Sequence, residues 1–153
     1  MHMERPFPSI RLVALGAALL LIGVALFQAG LALGAPWGSA AYGGGAAGAD
    51  GVLPTGLRIS SAVATVVLIS AALIILMRGG VMRVGVRSYR LARWAAWGIV
   101  GFLALNTLGN LSSSSTVERW VLGGITLLLV FLCAVVALRG SEFGSREVVV
   151  SRP

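Results

Sequence analysis

"RISSAVATVVLISAALIILMRGGVMRVGVRSYRLAR", residues 58 to 93, decides the fold. From 59 to 77 the chain carries no charge, and about 20 apolar helical residues are what a bilayer crossing takes. The remainder holds Arg78, Arg83, Arg87, Arg90 and Arg93 with no acid among them. An apolar run followed by a purely basic turn reads as a transmembrane helix that ends on the cytoplasmic side, where short basic loops are retained.

Three more runs of spanning length lie outward from this stretch. They cover residues 10 to 34, 93 to 112 and 119 to 138, and with 58 to 77 they make four spans. The first is too long for the 7 to 15 residue apolar core of a signal peptide, so it reads as a retained helix. Loop one, "APWGSAAYGGGAAGADGVLPTGLR", sets only Arg58 against Asp50, and loop three sets Arg119 beside Glu118. Both therefore face outward by the same charge rule. The sequence predicts an all-α, four-transmembrane-helix bundle, N-in and C-in, in the cytoplasmic membrane. Its parts are a short N-terminus (1–9), a single membrane domain (10–138) and a cytoplasmic tail (139–153).

Composition agrees. Of 153 residues, 58% are hydrophobic and 11% charged, against roughly 25% charged in a soluble domain. The net charge of +7 comes from arginines in short segments between spans, which fits orientation and anionic headgroups and not nucleic acid. Arg83, Arg87 and Arg90 follow i, i+4, i+7 spacing, so a short interfacial helix is expected to present them to anionic lipids. Cys133 is the single cysteine and His2 the single histidine. That excludes a disulfide framework and a dithiol redox centre, and no metal site or cofactor is expected. The arginine-only basic set, with abundant Gly and Ala, matches a GC-rich bacterial genome.

Small residues point to packing faces. Gly16, Gly23 and Gly30 recur at sevens in span one, and such stripes let helices approach closely in lipid. Gln28 sits two residues before Gly30, about 200° around the helix. Span one is therefore expected to be contacted on both sides, or to place Gln28 at a subunit interface. Span two offers Ser61, Ala64, Leu68 and Ala72, and span four offers Gly123 and Gly124.

Polar residues collect in the outer half. Asn106 lies twelve residues beyond Trp94, about 18 Å along the helix axis, and Asn110 is one turn further. Gln28 reaches a similar depth, about 25 Å from Arg11. The loops add Trp37, Tyr42, Arg58, Glu118 and Arg119. The candidate ligand-binding set is Gln28, Trp37, Arg58, Asn106, Asn110 and Glu118. Amides would orient a ligand, Arg58 attract an anionic group, Glu118 hold that arginine or take a proton, and Trp37 act as a lid. Each has a structural reading beside it. Ser115 and Glu118 match the S-x-x-E capping box, Thr55 is placed to cap span two, and Trp37 and Tyr42 fit an interfacial aromatic belt. The asparagines could tie span three to a neighbour, a bond worth about 0.6 kcal/mol in membranes.

The segments "GAPWGSAAYGG", "LPTGLR", "NTLGN" and "STVERW" together resemble a group of small four-helix integral membrane proteins of high-GC bacteria. That resemblance brings no assigned activity. It implies that residues 36 to 38, 106 to 110 and 118 to 119 belong together.

The leading expectation is a small, non-enzymatic membrane protein binding a partner helix or a lipid-like amphipathic ligand from its outer side, with a homo-oligomer or a partner membrane protein possible. The alternatives are an oligomeric transporter or channel subunit lined by Gln28, Asn106 and Asn110, and a membrane enzyme using Glu118 as acid or base. A binding protein should have a closed inner end, and an enzyme should bring Glu118 into a pocket and off Ser115.

Overall fold

A computed structural model describes residues 9–82 and 86–140. Four helices run through them: α1 (Ser9–Leu33), α2 (Thr55–Arg78), α3 (Val86–Leu111) and α4 (Gly123–Arg139), the last led in by a π-helical turn over Val117–Leu122. Among the described residues there is no strand. With the π turn counted into α4, each helix gives a stretch long and apolar enough to cross a membrane, of 22 to 24 residues. The outward faces are apolar too: Leu12, Leu19, Leu26, Leu105 and Phe131 are each more than 60% exposed, which suits lipid and not water. Exposed Trp94 and Trp120 sit near opposite ends of the bundle, where amphipathic rings settle at membrane interfaces.

The helices alternate in direction, with neighbours in the order α1, α2, α3, α4 and back to α1. At one end, called here the terminal end, the start of α1 meets the ends of α2 and α4. Gly79 lies so close to Ala14 that a methyl group in its place would collide. The Arg78 guanidinium is buried there and Nη2 donates to the Ala137 carbonyl at 2.9 Å. A cation on the last turn of α4 complements the negative end of that helix.

The core of the terminal half is built largely of small apolar side chains. Ala14, Ala17, Ala18 and Leu21 of α1 pack with Ala71, Ala72 and Ile75 of α2, Ala96 of α3, and Cys133, Val136 and Ala137 of α4. This reverses the expected face of α1. Its buried stripe is Ile10, Ala14, Ala17, Leu21 and Ala25, running on toward Gln28, while a methyl on Gly16 or Gly23 would meet nothing within 4 Å. Alanine suffices for close approach; Gly16 and Gly23 lie off this stripe, while Gly30 packs against the Trp37 ring. Ser61, Leu68 and Ala72 of α2 are buried as their spacing predicts. Gly123 is buried against Leu111, whereas Gly124 meets open space.

Two boundaries differ from the sequence reading. Helix α2 begins at Thr55 with Pro54 in the capping position and no side-chain cap, so Thr55 is not the cap. Proline's fixed φ starts the helix, and its carbonyl accepts the first amides, from Leu57 and Arg58 at 3.0 and 3.1 Å. Helix α3 starts at Val86 and takes in Arg87 and Arg90, so these arginines extend a spanning helix and do not form a separate interfacial one. Arg83 lies outside the described residues, as does the tail beyond Gly140.

At the opposite end, loop one folds into a cap. Leu31, Ala41 and Leu53 are buried together, with Phe27, Ala46, Ala47 and Leu57 packed against them. The loop turns back through Gly38–Ala40, a single 3₁₀ turn, and Gly38 donates to the Gly51 carbonyl at 2.9 Å.

Candidate functional site

Beneath this cap the four helices part around a cavity of about 230 Å³. Every helix contributes to it. Phe27 and Gln28 come from α1, Ala64 and Leu68 from α2, Phe102, Asn106 and Asn110 from α3, and Thr126 and Leu129 from α4. Glu118, on the π turn, and Tyr42, on the cap, complete the lining. The exposure of Asn106 and Phe102 shows that the cavity reaches the flank of the bundle along α3.

The side chains are placed by recognisable local causes. Asn106 and Asn110 lie one helical turn apart, and Asn110 Nδ2 donates to Asn106 Oδ1 at 3.2 Å and to Thr126 Oγ1 at 3.5 Å. Thr126 Oγ1 in turn donates back to the Leu122 carbonyl of its own helix, at 2.9 Å. Gln28 Oε1 is buried and accepts no hydrogen bond from the described residues, a rare state for a buried polar atom.

Glu118 is only 8% exposed. Its position depends on the π turn, in which Gly123 N–H reaches back five residues to the Glu118 carbonyl; such wide turns recur at functional sites. Glu118 Oε2 accepts the Gly43 amide at 2.8 Å and the Ser113 hydroxyl. Oε1 has no partner among the described residues. The capping box is therefore not formed. Ser115 instead donates from its hydroxyl to the Ser39 carbonyl at 3.3 Å, and its amide bonds to Ser113 Oγ at 3.1 Å. Folding loop one across the helix start supplies donors and acceptors that outcompete the local box.

The cap is pinned at several points. Ser114 Oγ donates to the Gly43 carbonyl at 2.9 Å. The Tyr42 hydroxyl lies 2.9 Å from Ser61 Oγ and 3.3 Å from the Leu57 carbonyl. Tyr42 holds a φ of 52°, a left-handed conformation that is strained for a side-chain-bearing residue. Gly43 and Gly44 continue in the same region at 82° and 78°, and this run turns the Gly43 amide toward Glu118.

Of the six residues predicted to bind ligand, Gln28, Asn106, Asn110 and Glu118 line the cavity. Trp37 and Arg58 do not. Trp37 stacks on the outer side of Phe27, with ring centroids 6.1 Å apart and planes 6° from parallel, so it backs the wall and is not a lid. It also fills the space beside Gly30, where a methyl group would strike its ring. Arg58 Nε donates to the Ala32 carbonyl at 3.1 Å, and among the described residues it makes no ion pair with Glu118. The end of α1 has carbonyls and a partial negative charge to satisfy, and that is where the guanidinium goes.

The predicted ligand-binding set left out Thr126, Phe102 and Tyr42, which also form the wall. Glu118, Leu122, Thr126 and Leu129 follow 4, 4, 3 spacing, a signal for one helical face that could have found Thr126. Tyr42's role depends on the path of a glycine-rich loop and had no such signal. Among the described residues no group of His, Cys, Asp or Glu could hold a metal ion.

Compared with protein-family profiles, curated proteins and solved structures, the chain has no match. The fold and the cavity thus define an all-α protein with four helices that can each cross a membrane, and they define its class no more narrowly.

Proposed function

We propose that this chain is a non-enzymatic integral membrane protein of a bacterial cytoplasmic membrane, with both termini inside, that binds a small amphipathic ligand in the cavity beneath the loop-one cap. The observation that carries this reading is the cavity itself, where apolar walls converge with Gln28, Asn106, Asn110 and Glu118. A few placed polar groups on an apolar lining is the usual make-up of a small-molecule site. A cavity of about 150 Å³ accepts benzene, so this one suits a compact molecule somewhat larger. Its opening along α3 gives a route from the bilayer.

Binding is favoured over transport by the terminal half of the bundle. Below Leu68 and Leu129 the described interior is packed mostly by alanine, leucine, isoleucine and valine side chains, and its buried cation, Arg78, sits at the far end bonded to the Ala137 carbonyl. Glu118 does face the cavity, as an enzyme would require. The other ionisable lining residue is Tyr42, whose hydroxyl is engaged with Ser61 and Leu57, so Glu118 lacks the free partner that acid–base chemistry normally needs.

Native mass spectrometry of protein released gently from its own membrane tests the reading, comparing wild type with the cavity-filling variant Ala64→Phe. A small molecule should accompany wild type and be lost from the variant. If wild type carries none and the variant is merely more stable, the cavity is a packing gap and the reading fails.

A further inference from the structure

We infer that the cavity takes a cation: a primary or secondary ammonium group carried on a compact apolar body, with the nitrogen seated against Glu118. This rests on the cavity being a binding site, and it names the chemistry of the occupant.

The first argument is charge. Glu118 is the one formally charged side chain in the lining, and it is buried. A carboxylate withdrawn from water is stabilised by a close cation. Neither nearby arginine is in that place. Arg58 is turned to the Ala32 carbonyl, and Arg119 donates through Nε and Nη2 to the Ser113 carbonyl at 3.1 and 2.7 Å. Among the described residues no ion pair reaches Glu118. An anionic ligand, for which Arg58 was the expected attractor, would face the Glu118 carboxylate with no cation in the lining.

The second argument is the sense of the hydrogen bonds. Glu118 Oε2 is satisfied by Gly43 and Ser113, which fixes the carboxylate and leaves Oε1 able to accept. Gln28 Oε1 is a second acceptor, buried and without a partner among the described residues. The Asn110 amide nitrogen is already committed to Asn106 and Thr126. Two acceptors in want of donors select a group rich in N–H, and charge-assisted bonds of that kind are the stronger ones. A quaternary ammonium has no N–H to give. Phe27, Phe102 and Tyr42 supply aromatic surface for the apolar body, and such rings also tolerate a nearby cation well.

The test uses three probes of matched size: phenethylammonium, 2-phenylethanol and phenylacetate. They are titrated calorimetrically into the full chain in zwitterionic lipid nanodiscs, with empty nanodiscs as the blank. Phenethylammonium should bind saturably to wild type and more tightly than either other probe. Glu118→Gln keeps an oxygen for Gly43 and Ser113, so the fold should hold while the amine's affinity falls about tenfold or more. Asn106→Asp, at an exposed part of the lining, should tighten the amine and weaken phenylacetate.

Equal or tighter binding of 2-phenylethanol or phenylacetate, unchanged in Glu118→Gln and abolished in Ala64→Phe, overturns the cation inference and leaves the binding site standing. Absence of saturable binding by all three probes overturns both.

Discussion

Glu118 Oε2 accepts the backbone N–H of Gly43 at 2.8 Å, across 75 residues of sequence. The bond joins the loop-one cap to the π turn that leads into α4. One carboxylate thus anchors the roof of the cavity and lines its wall, so changes at Glu118 should act on stability and on binding together.

The two effects separate by choice of substitution. Glu118→Ala strands the partly buried Gly43 amide and Ser113 hydroxyl, at a cost of about 1 to 2 kcal/mol. Glu118→Gln retains an acceptor and should cost less than about 1 kcal/mol. Thermal unfolding in a mild detergent reads the difference as a much larger drop in midpoint for the alanine variant. Equal drops would mean that the Gly43 bond contributes nothing.

The same anchor depends on backbone shape. A methyl at Gly43 has room, its nearest neighbour being Ser114 Oγ at 3.7 Å, but φ there is +82°. Gly43→Ala should therefore destabilise by about 1 to 2 kcal/mol through left-handed strain alone. Gly45→Ala, where φ is not positive and nothing lies within 4 Å, serves as the control and should leave the midpoint unmoved. A neutral Gly43→Ala would show that the cap refolds freely around this position.

Glycines in the helices divide differently. Gly79 abuts Ala14 at the α1–α2 crossing, so Gly79→Ala should overpack that contact and cost about 1 to 3 kcal/mol. Gly16→Ala and Gly23→Ala meet open space and should gain about 0.5 to 1 kcal/mol each from helix propensity. Loss of stability in the last two, together with a change in oligomer mass, would show that a second copy covers that face.

These contrasts explain what the sequence made legible. Length and apolarity near-uniform around each helix carry the four spans, because a bilayer fixes both requirements at once. Gln28, Asn106, Asn110 and Glu118 were legible as a group because depth along a helix follows from counting residues. The faces of α1 were not. Glycine and alanine both permit close packing, and only the partner helices decide that Ala14, Ala17 and Ala25 turn inward. Arg58 was assigned to the ligand by proximity, yet the open carbonyl at Ala32 competes for the same guanidinium. Such competition between local partners is settled by the loop path, which runs of Gly and Ala leave unspecified.

The proposed orientation has its own check. In a Cys133→Ala background, single cysteines at Gly45 and Val81, both placed on loops, should differ in reaction with a membrane-impermeant maleimide applied to intact cells. The cysteine at 45 should label and the one at 81 should label only after lysis, since Arg78 to Arg93 hold that loop inside. The opposite pattern would invert the protein and put the cavity on the cytoplasmic side.

Arg58 provides the sharpest separation of fold from site. Its Nε bond to the Ala32 carbonyl, 3.1 Å long, places a half-buried cation at the negative end of α1, an arrangement worth about 1 kcal/mol. Arg58→Ala should lower the unfolding midpoint accordingly. Because Arg58 is absent from the cavity lining, the affinity for phenethylammonium should stay within about twofold of wild type. A large gain in amine affinity, or a new affinity for phenylacetate in wild type that vanishes with Arg58→Ala, would return the guanidinium to the binding site. Loss of stability with binding intact would instead fix its role as the stop at the end of the first helix.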